Sequence, residues 1–162
     1  YSSVGNPNAG SSKYINKAID GEEVEPDYVA EHKFSDFLID EKLKQNILAH
    51  GYTTPTPIQD QVIPHLLEGR DVVGVANTGT GKTAAFLIPI IDKIVKDKRA
   101  NVLIVAPTRE LALQIQDEAR EFSTGLGVWV ALCIGGANIN GQIAALRRNP
   151  NIVIGTPGRL ID

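Results

Sequence analysis

From residue 34 onward, short apolar runs alternate with longer stretches in which apolar residues recur every three or four positions. The runs cover residues 72–76, 102–106, 128–134 and 152–155, and helical periodicity covers 83–96, 109–122 and 140–148. The runs are rich in β-branched residues, which is typical of strands covered on both faces. This order predicts an α/β fold, a parallel sheet flanked by helices. Ligands of such sheets bind beyond the carboxyl ends of the strands.

A helix is predicted ahead of the first strand. Asp40 can cap its N-terminus, and Leu43, Ile47 and Leu48 share one face. Gly51 can end the helix in the left-handed conformation.

A second helix is predicted to begin at Thr56 and Pro57, a hydroxyl followed by a proline at the first helical position. It extends towards Leu67 and stops at Gly69, although Pro64 within it argues against a regular helix.

Residues 1–33 are rich in Ser, Asn, Gly, Pro and Glu, which predicts a flexible N-terminal extension before a domain at 34–162. The chain contains no methionine, so we expect it to be a piece of a longer protein.

Composition excludes some classes of protein. With 43% hydrophobic residues among 162, the chain can form a core, but a net charge of −3 offers no basic excess for nucleic acid.

The single cysteine, Cys133, is expected to be a buried strand thiol, which fits a reducing compartment. Histidines 32, 50 and 65 lack ligand spacing. Without a membrane-length apolar run, we expect an intracellular, cytoplasmic protein with no membrane partner.

The segment after the first apolar run predicts a phosphate-binding loop. It reads Ala-Asn-Thr-Gly-Thr-Gly-Lys-Thr over residues 76–83 and leads into a helix. Glycine amides and a helix N-terminus hold nucleotide phosphates, while Lys82 would reach the β- and γ-phosphates and Thr83 would complete a Mg²⁺ site. Ala76 departs from the glycine usual at the first position. In this loop we assign nucleotide binding to Thr78, Gly79, Thr80, Gly81, Lys82 and Thr83, and catalysis to Lys82 and Thr83.

A proline-rich approach precedes this loop, with Gln59 one turn into its helix. A planar amide can pair with the exocyclic amine and ring nitrogen of adenine and cannot pair equally well with guanine. A simple turn and helix cap is the alternative interpretation of this segment.

Together, the two segments resemble the adenine-reading segment and first motif of DEAD-box RNA helicases, with Asn77 and Thr80 at variable positions. The resemblance implies a RecA-like ATP-binding domain in which Tyr52 packs on adenine, Phe34 supports it and Gln59 reads its edge. It also implies that ATP and Mg²⁺ are the cofactors.

Three further segments, each after an apolar run, resemble motifs with which the family contacts the RNA backbone. Hydroxyls, glycine amides and arginines suit phosphate contacts that carry no base sequence. A helix cap at Thr108, a turn at the two glycines and a surface charge at Arg159 are the alternatives. The residues are Pro107, Thr108, Arg109, Gly135, Gly136, Thr156, Pro157, Gly158 and Arg159.

No predicted strand ends in the acidic pair that hydrolysis requires. In the family this pair, and a second RecA-like domain, lie later in the chain. We therefore expect this chain to bind nucleotide weakly, bind RNA barely and hydrolyse nothing by itself, as a monomer. We also expect it to fold poorly, because Ile154 would lack later neighbours.

Two other functions remain open: a different P-loop ATPase, such as a DNA helicase or transporter motor, and a non-enzymatic module that binds partners through residues 1–33. A dinucleotide oxidoreductase is excluded because the glycines run directly into Lys82 and Thr83.

Overall fold

The computed structural model describes residues 28–162; of the extension predicted for 1–33, residues 1–27 lie outside this range. A short 3₁₀ turn at Phe34–Asp36 precedes the regular elements. These are α1 (Glu41–Ala49), α2 (Pro57–Leu67), α3 (Lys82–Lys96), β1 (Val102–Val105), α4 (Arg109–Phe122), β2 (Val130–Cys133), α5 (Ile139–Leu146), β3 (Ile152–Gly155) and α6 (Pro157–Ile161).

The three strands form a parallel sheet in the order β1-β3-β2. The chain therefore crosses from β1 to the far edge through α4 and returns to the centre through α5. Two right-handed crossovers in opposite directions place α4 and α5 on opposite faces of the sheet. The predicted α/β class is confirmed, and the carboxyl ends of all three strands point to one edge.

The core lies between the sheet and the helices α1, α3 and α4. Phe122 and Ile115 of α4 pack with Leu87 and Ile91 of α3, all at most 5% exposed. Ile154 is fully buried in the central strand. Its neighbours in the sheet are β1 and β2, which both come earlier in the chain, and the expectation of poor folding stays a prediction.

Helix α1 forms as its sequence predicts at both ends. The Asp40 carboxylate accepts from the amides of Lys42 (2.9 Å) and Leu43 (3.1 Å), and Gly51 closes the helix with φ +84°. Leu48 departs from the prediction, because it is 53% exposed while Leu43 and Ile47 are fully buried. Helix α2 runs through Pro64 and ends before Gly69, as expected.

The apolar run at 72–76 does not form a strand, contrary to the prediction. A strand needs a hydrogen-bonded neighbour, and among residues 28–162 the sheet contains only β1, β2 and β3. Val73 and Val75 are 93% and 90% exposed, while Gly74 lies against Ile58, whose Cδ1 is 3.3 Å from where a Cβ would stand. The segment follows α2 without joining the sheet.

Strand β1 is also more open than predicted. Ile104 is buried, but Leu103 and Val105, on the opposite face, are more than half exposed. Strand β3 is therefore covered on both faces, as predicted, whereas β1 is covered on one face only. Cys133 is a buried free thiol, as predicted, and burial raises its pKa. Across residues 28–162, no helix combines the length and apolar character of a membrane span.

Candidate nucleotide and RNA sites

The predicted phosphate loop forms a tight turn directly before α3. Gly79 and Gly81 have φ of +82° and +85°, a conformation that other residues rarely adopt. Gly81 is the N-cap residue, so Lys82 and Thr83 open the helix, and Thr78 lies in the turn itself. The Thr80 hydroxyl donates to the Asn77 carbonyl at 2.8 Å and closes the loop.

The Lys82 ammonium group is directed into this loop. It donates to the backbone carbonyls of Ala76 and, at 2.6 Å, of Asn77. The two loop carbonyls thus accept from the same N–H groups of Lys82 that would donate to a phosphate. A negatively charged phosphate oxygen is a stronger acceptor for an ammonium group than a neutral carbonyl oxygen is. Lys82 thus lies with its ammonium group at the loop, and its contact with nucleotide phosphates stays a prediction.

The start of α2 is hydrogen-bonded to the phosphate loop. The Thr56 hydroxyl donates to the Thr80 carbonyl at 2.8 Å, and the Gln59 amide nitrogen donates to the Gly81 carbonyl at 3.1 Å. The Gln59 amide oxygen accepts from the Thr56 backbone amide at 3.0 Å. The Gln59 side chain therefore caps α2 and also holds the phosphate loop. The interpretation as a helix cap does not exclude a role in base recognition.

Gln59 retains hydrogen-bonding capacity suited to a base. Its amide has two N–H donors and two acceptor positions, and the contacts above use one of each. Gln59 is fully buried, so a base reaches this amide only after the residues around it shift. Adenine reading by Gln59 stays a prediction.

The Tyr52 ring lies in an aromatic cluster. It makes edge-to-face contacts with Phe122 and Phe34, with centroids 5.4 and 6.3 Å apart. The hydroxyl donates to the Glu118 carboxylate at 2.9 Å. Burial, followed by the charge of Glu118 and this hydrogen bond, raises the pKa of Tyr52 to about 12, while burial raises the pKa of Glu118. Phe34 thus contacts Tyr52, while its supporting role and the stacking of Tyr52 on adenine stay predictions.

Thr83 is the one side chain assigned to Mg²⁺. Residues 28–162 contain no group of three or more His, Cys, Asp or Glu that could hold a metal ion. Mg²⁺ commonly keeps several waters and is held by few protein groups together with substrate phosphates. A hydroxyl in the first turn of α3, beside Lys82, fits that kind of site.

The three loops with predicted RNA-contacting residues meet at the carboxyl edge of the sheet. The Arg109 guanidinium covers the glycine turn after β2: a Cβ at Gly135 or Gly136 would lie 3.1 or 2.5 Å from its nitrogens. Gly136 has φ +80°, so glycine serves both the turn and this close approach. Pro107 and Thr108 lead from β1 into α4, and the Thr108 hydroxyl caps that helix at Leu111 (3.2 Å).

The loop after β3 completes this edge. Thr156 is the N-cap of α6, which contains Pro157, Gly158 and Arg159, and its amide donates to the Cys133 carbonyl at 3.1 Å. Arg159 donates to Gln142 at 3.3 Å and to the Ala137 carbonyl at 3.5 Å, and its buried Nε lies 3.4 Å from a carboxylate oxygen of Asp162. The arginine side chain is 15% exposed and is therefore not the free surface charge of the alternative interpretation.

Two carboxylates of the site were not predicted from the sequence. Glu118 accepts from Tyr52, and Asp60 contacts His32, whose position in the sequence shows no ligand spacing. Glu118 lies one turn before Phe122 on α4, so helical spacing in the sequence already places the two on one side of the helix. Asp60 contacts a segment about 30 residues earlier, which no local pattern reveals.

Comparisons with known proteins agree with this geometry. A family model for DEAD/DEAH box helicases matches residues 56–162. The ATP-dependent RNA helicase CshA of Listeria monocytogenes is 49% identical over 131 residues, 80% of this chain and 25% of that protein.

Two solved structures are also similar. The DEAD-box helicase Mss116 bound to ssRNA and UDP-BeF superposes with a TM-score of 0.75 at 36% identity, over 82% of this chain and 29% of that one. The RNA helicase Prp28 of Chaetomium thermophilum bound to ADP gives 0.70 at 45% identity, over 76% and 32%. This chain spans about a quarter of the curated relative's length.

Proposed function

Because the chain belongs to the DEAD/DEAH box helicase family, we propose that it is the ATP-binding part of an ATP-dependent RNA helicase. The observation that carries this proposal is the pair of hydrogen bonds from Thr56 and Gln59 to the phosphate loop. They place a side chain able to discriminate between bases next to the phosphate site. A phosphate loop alone is common to many ATPases, whereas this connection favours a site that recognises adenine.

In the proposed mechanism, nucleotide phosphates replace the carbonyls of Ala76 and Asn77 as acceptors for Lys82. The amides of residues 78–83 point to the same phosphates from the loop and the first turn of α3. Tyr52, supported by Phe34, packs on the adenine ring. Gln59 uses its remaining donor and acceptor on the edge of the base.

Thr83 would hold Mg²⁺ together with the phosphates, and the ion would neutralise part of their negative charge. Lys82 and Thr83 are the residues of this chain that we assign to the phosphate-transfer chemistry. ATP is the proposed nucleotide, and the domain that binds it is proposed to comprise residues 34–162.

The carboxyl edge of the sheet is the proposed RNA site. Arg109 and Arg159 supply positive charge beside the glycine turn, and the amides at Gly135, Gly136 and Gly158 supply neutral donors. Contacts of this kind hold phosphates and read no bases, so binding would be independent of sequence. Separation of an RNA duplex would require a second RecA-like domain, and the whole protein would act inside the cell as a monomer.

The RNA site is tested by Arg109→Ala in the complete protein that contains this chain. We expect the apparent affinity for single-stranded RNA, measured from RNA-stimulated ATP hydrolysis, to fall by about tenfold, the effect of one charged hydrogen bond. The KM for ATP should change little, because Arg109 lies at the sheet edge with Gly135 and Gly136.

Arg120→Ala is the matched control, since Arg120 lies exposed at the other end of the same helix. An equal loss in both variants would argue against a specific site at Arg109. Stimulation of the wild-type protein by DNA and not by RNA would contradict the proposed function itself.

A further inference from the structure

Asp60, next to Gln59 on α2, is the most heavily hydrogen-bonded carboxylate among residues 28–162. One oxygen accepts from the Tyr28 hydroxyl at 2.5 Å and the Glu31 amide at 2.7 Å. The other accepts from the His32 amide at 3.1 Å and lies 2.6 Å from the His32 ring nitrogen Nδ1. Asp60 itself is only 2% exposed. A buried carboxylate with this set of partners fixes the position of the chain that supplies them.

The segment held by Asp60, residues 28–32, buries little of its own apolar surface. Val29 is 83% exposed and Tyr28 is 43% exposed. Hydrophobic burial scales with the area removed from water, so it contributes little to the position of these two side chains. The Asp60 carboxylate is therefore the main attachment of this segment to α2.

The same segment leads directly into the aromatic side of the proposed base site. Phe34, two residues after His32, is 1% exposed and packs edge-to-face on Tyr52 and Phe37. The His32 and Phe37 rings are 5.7 Å apart. Asp60 thus holds one end of a short stretch of chain whose other end supports Tyr52, while its neighbour Gln59 contacts the phosphate loop.

The charge of Asp60 suits this position. Burial alone would raise the pKa of its carboxyl, but the hydrogen bonds from Tyr28, Glu31 and His32 outweigh burial and lower it. The hydrogen bond to Asp60, followed by burial, raises the pKa of Tyr28 to about 12. At neutral pH the carboxylate is therefore ionised and the tyrosine hydroxyl is a donor, so the attachment is fully formed. A negative charge in the first turn of α2 is also favourable to the helix dipole.

We propose that Asp60 is a positioning residue for adenine recognition: it fastens residues 28–32 onto α2 and so keeps Phe34 and Tyr52 beside Gln59 when the surrounding residues shift to admit the base. This inference rests on the proposed function, because it concerns a residue that positions the proposed base site. Asp60 itself makes no contact with the nucleotide in this proposal.

The test is Asp60→Asn in this chain, which keeps the shape of the side chain and removes its charge. We expect ATP affinity, measured by competition with a fluorescent adenine nucleotide, to fall by about tenfold. GTP affinity should fall less than about twofold, because phosphate contacts remain. The preference for adenine is the readout, since a general loss of stability would weaken both nucleotides together.

Asp92→Asn is the matched control. Asp92 is also 2% exposed and also holds backbone, accepting from the Asp40 amide at 2.9 Å, but it lies ten residues beyond Lys82 on α3. It should lower the free energy of unfolding without changing the preference for ATP. The double variant Tyr28→Phe/His32→Ala should reproduce the Asp60→Asn effect, and adding Asp60→Asn to it should change the preference little further.

Hydrogen exchange at the Glu31 and His32 amides gives an independent measurement, because both donate to Asp60. Faster exchange together with a lost preference would support the proposal. Faster exchange with an unchanged preference would overturn it, because the segment would then be attached without shaping the base site. If the wild-type chain bound ATP no better than GTP, the proposed adenine site would fail first, and the two failures are thereby distinguished.

Discussion

Lys82→Ala is expected to weaken ATP binding by a hundredfold or more, roughly 3 kcal/mol, the range found when one partner of a buried charged pair is removed. In the structure the ammonium group is already at the loop, bonded to the carbonyls of Ala76 and Asn77. Phosphate oxygens would take over these donors. Without the lysine, the β- and γ-phosphates would lose this cation and keep only the loop amides, Thr83 and its proposed Mg²⁺. Titration with a fluorescent nucleotide measures the loss directly.

Lys93→Ala is the matched control for this variant, because Lys93 is an exposed lysine on the same helix, three turns further on. It should leave ATP affinity within about twofold of the wild type, the range of an exposed surface charge. Unchanged affinity in Lys82→Ala would contradict the phosphate-loop assignment. Equal loss in both variants would point to a general electrostatic effect.

Gly81→Ala is expected to abolish the preference for ATP over GTP and to lower the free energy of unfolding by about 1–3 kcal/mol. Gly81 has φ +85°, which a Cβ disfavours. That Cβ would also collide with the Gln59 amide and lie 3.2 Å from the Thr56 hydroxyl. Since Gln59 is fully buried and bonded to the loop, it must leave its position to make room.

Gly51→Ala separates the two causes. Gly51 has φ +84° but no atom within 4 Å of where its Cβ would stand, and it lies at the end of α1. This variant should lose stability through backbone strain and keep its nucleotide preference. Denaturant unfolding and the ATP/GTP competition, measured on both variants, check the two parts. A Gly81→Ala protein that still preferred ATP would show that Gln59 does not set the preference.

Local rules in the sequence predicted most elements of this fold. Capping chemistry at Asp40, the left-handed Gly51 and helical spacing on α4 each act within a few residues. Such features can be predicted from a single sequence because their cause and their effect lie side by side. The bounds of α4, 109–122, agree with the prediction at both ends.

The errors have a different origin. An apolar run such as 72–76 becomes a strand only if another strand pairs with it, and no spacing within the run reveals that partner. The exposure of Leu48, Leu103 and Val105 likewise depends on what packs over them. Sequence predicted the pattern of apolar positions correctly and could not predict which of them would be covered.

The residues of the candidate site also differ in whether a local sequence pattern reveals them. Lys82, Thr83 and Gln59 belong to short motifs with characteristic neighbours, so roles could be assigned to them from the sequence, and those roles stay predictions. Asp60 and Glu118 act through contacts with residues 28–32 and with Tyr52, and the structure alone brings these groups together. Helix α4 makes this visible: Arg109 at its start lies at the proposed RNA edge, while Glu118 and Phe122 contact the aromatic side of the proposed base site.

The central claim is that this chain binds ATP through an adenine-reading amide joined to a phosphate loop. The most direct test is competition of ATP and GTP against a fluorescent adenine nucleotide, in the wild-type chain and in Gln59→Ala. We expect ATP to compete at least about tenfold better than GTP in the wild type, the effect of one well-placed hydrogen bond, and the difference to disappear in the variant. Equal competition by ATP and GTP in both proteins would contradict the account and leave only a general P-loop nucleotide site.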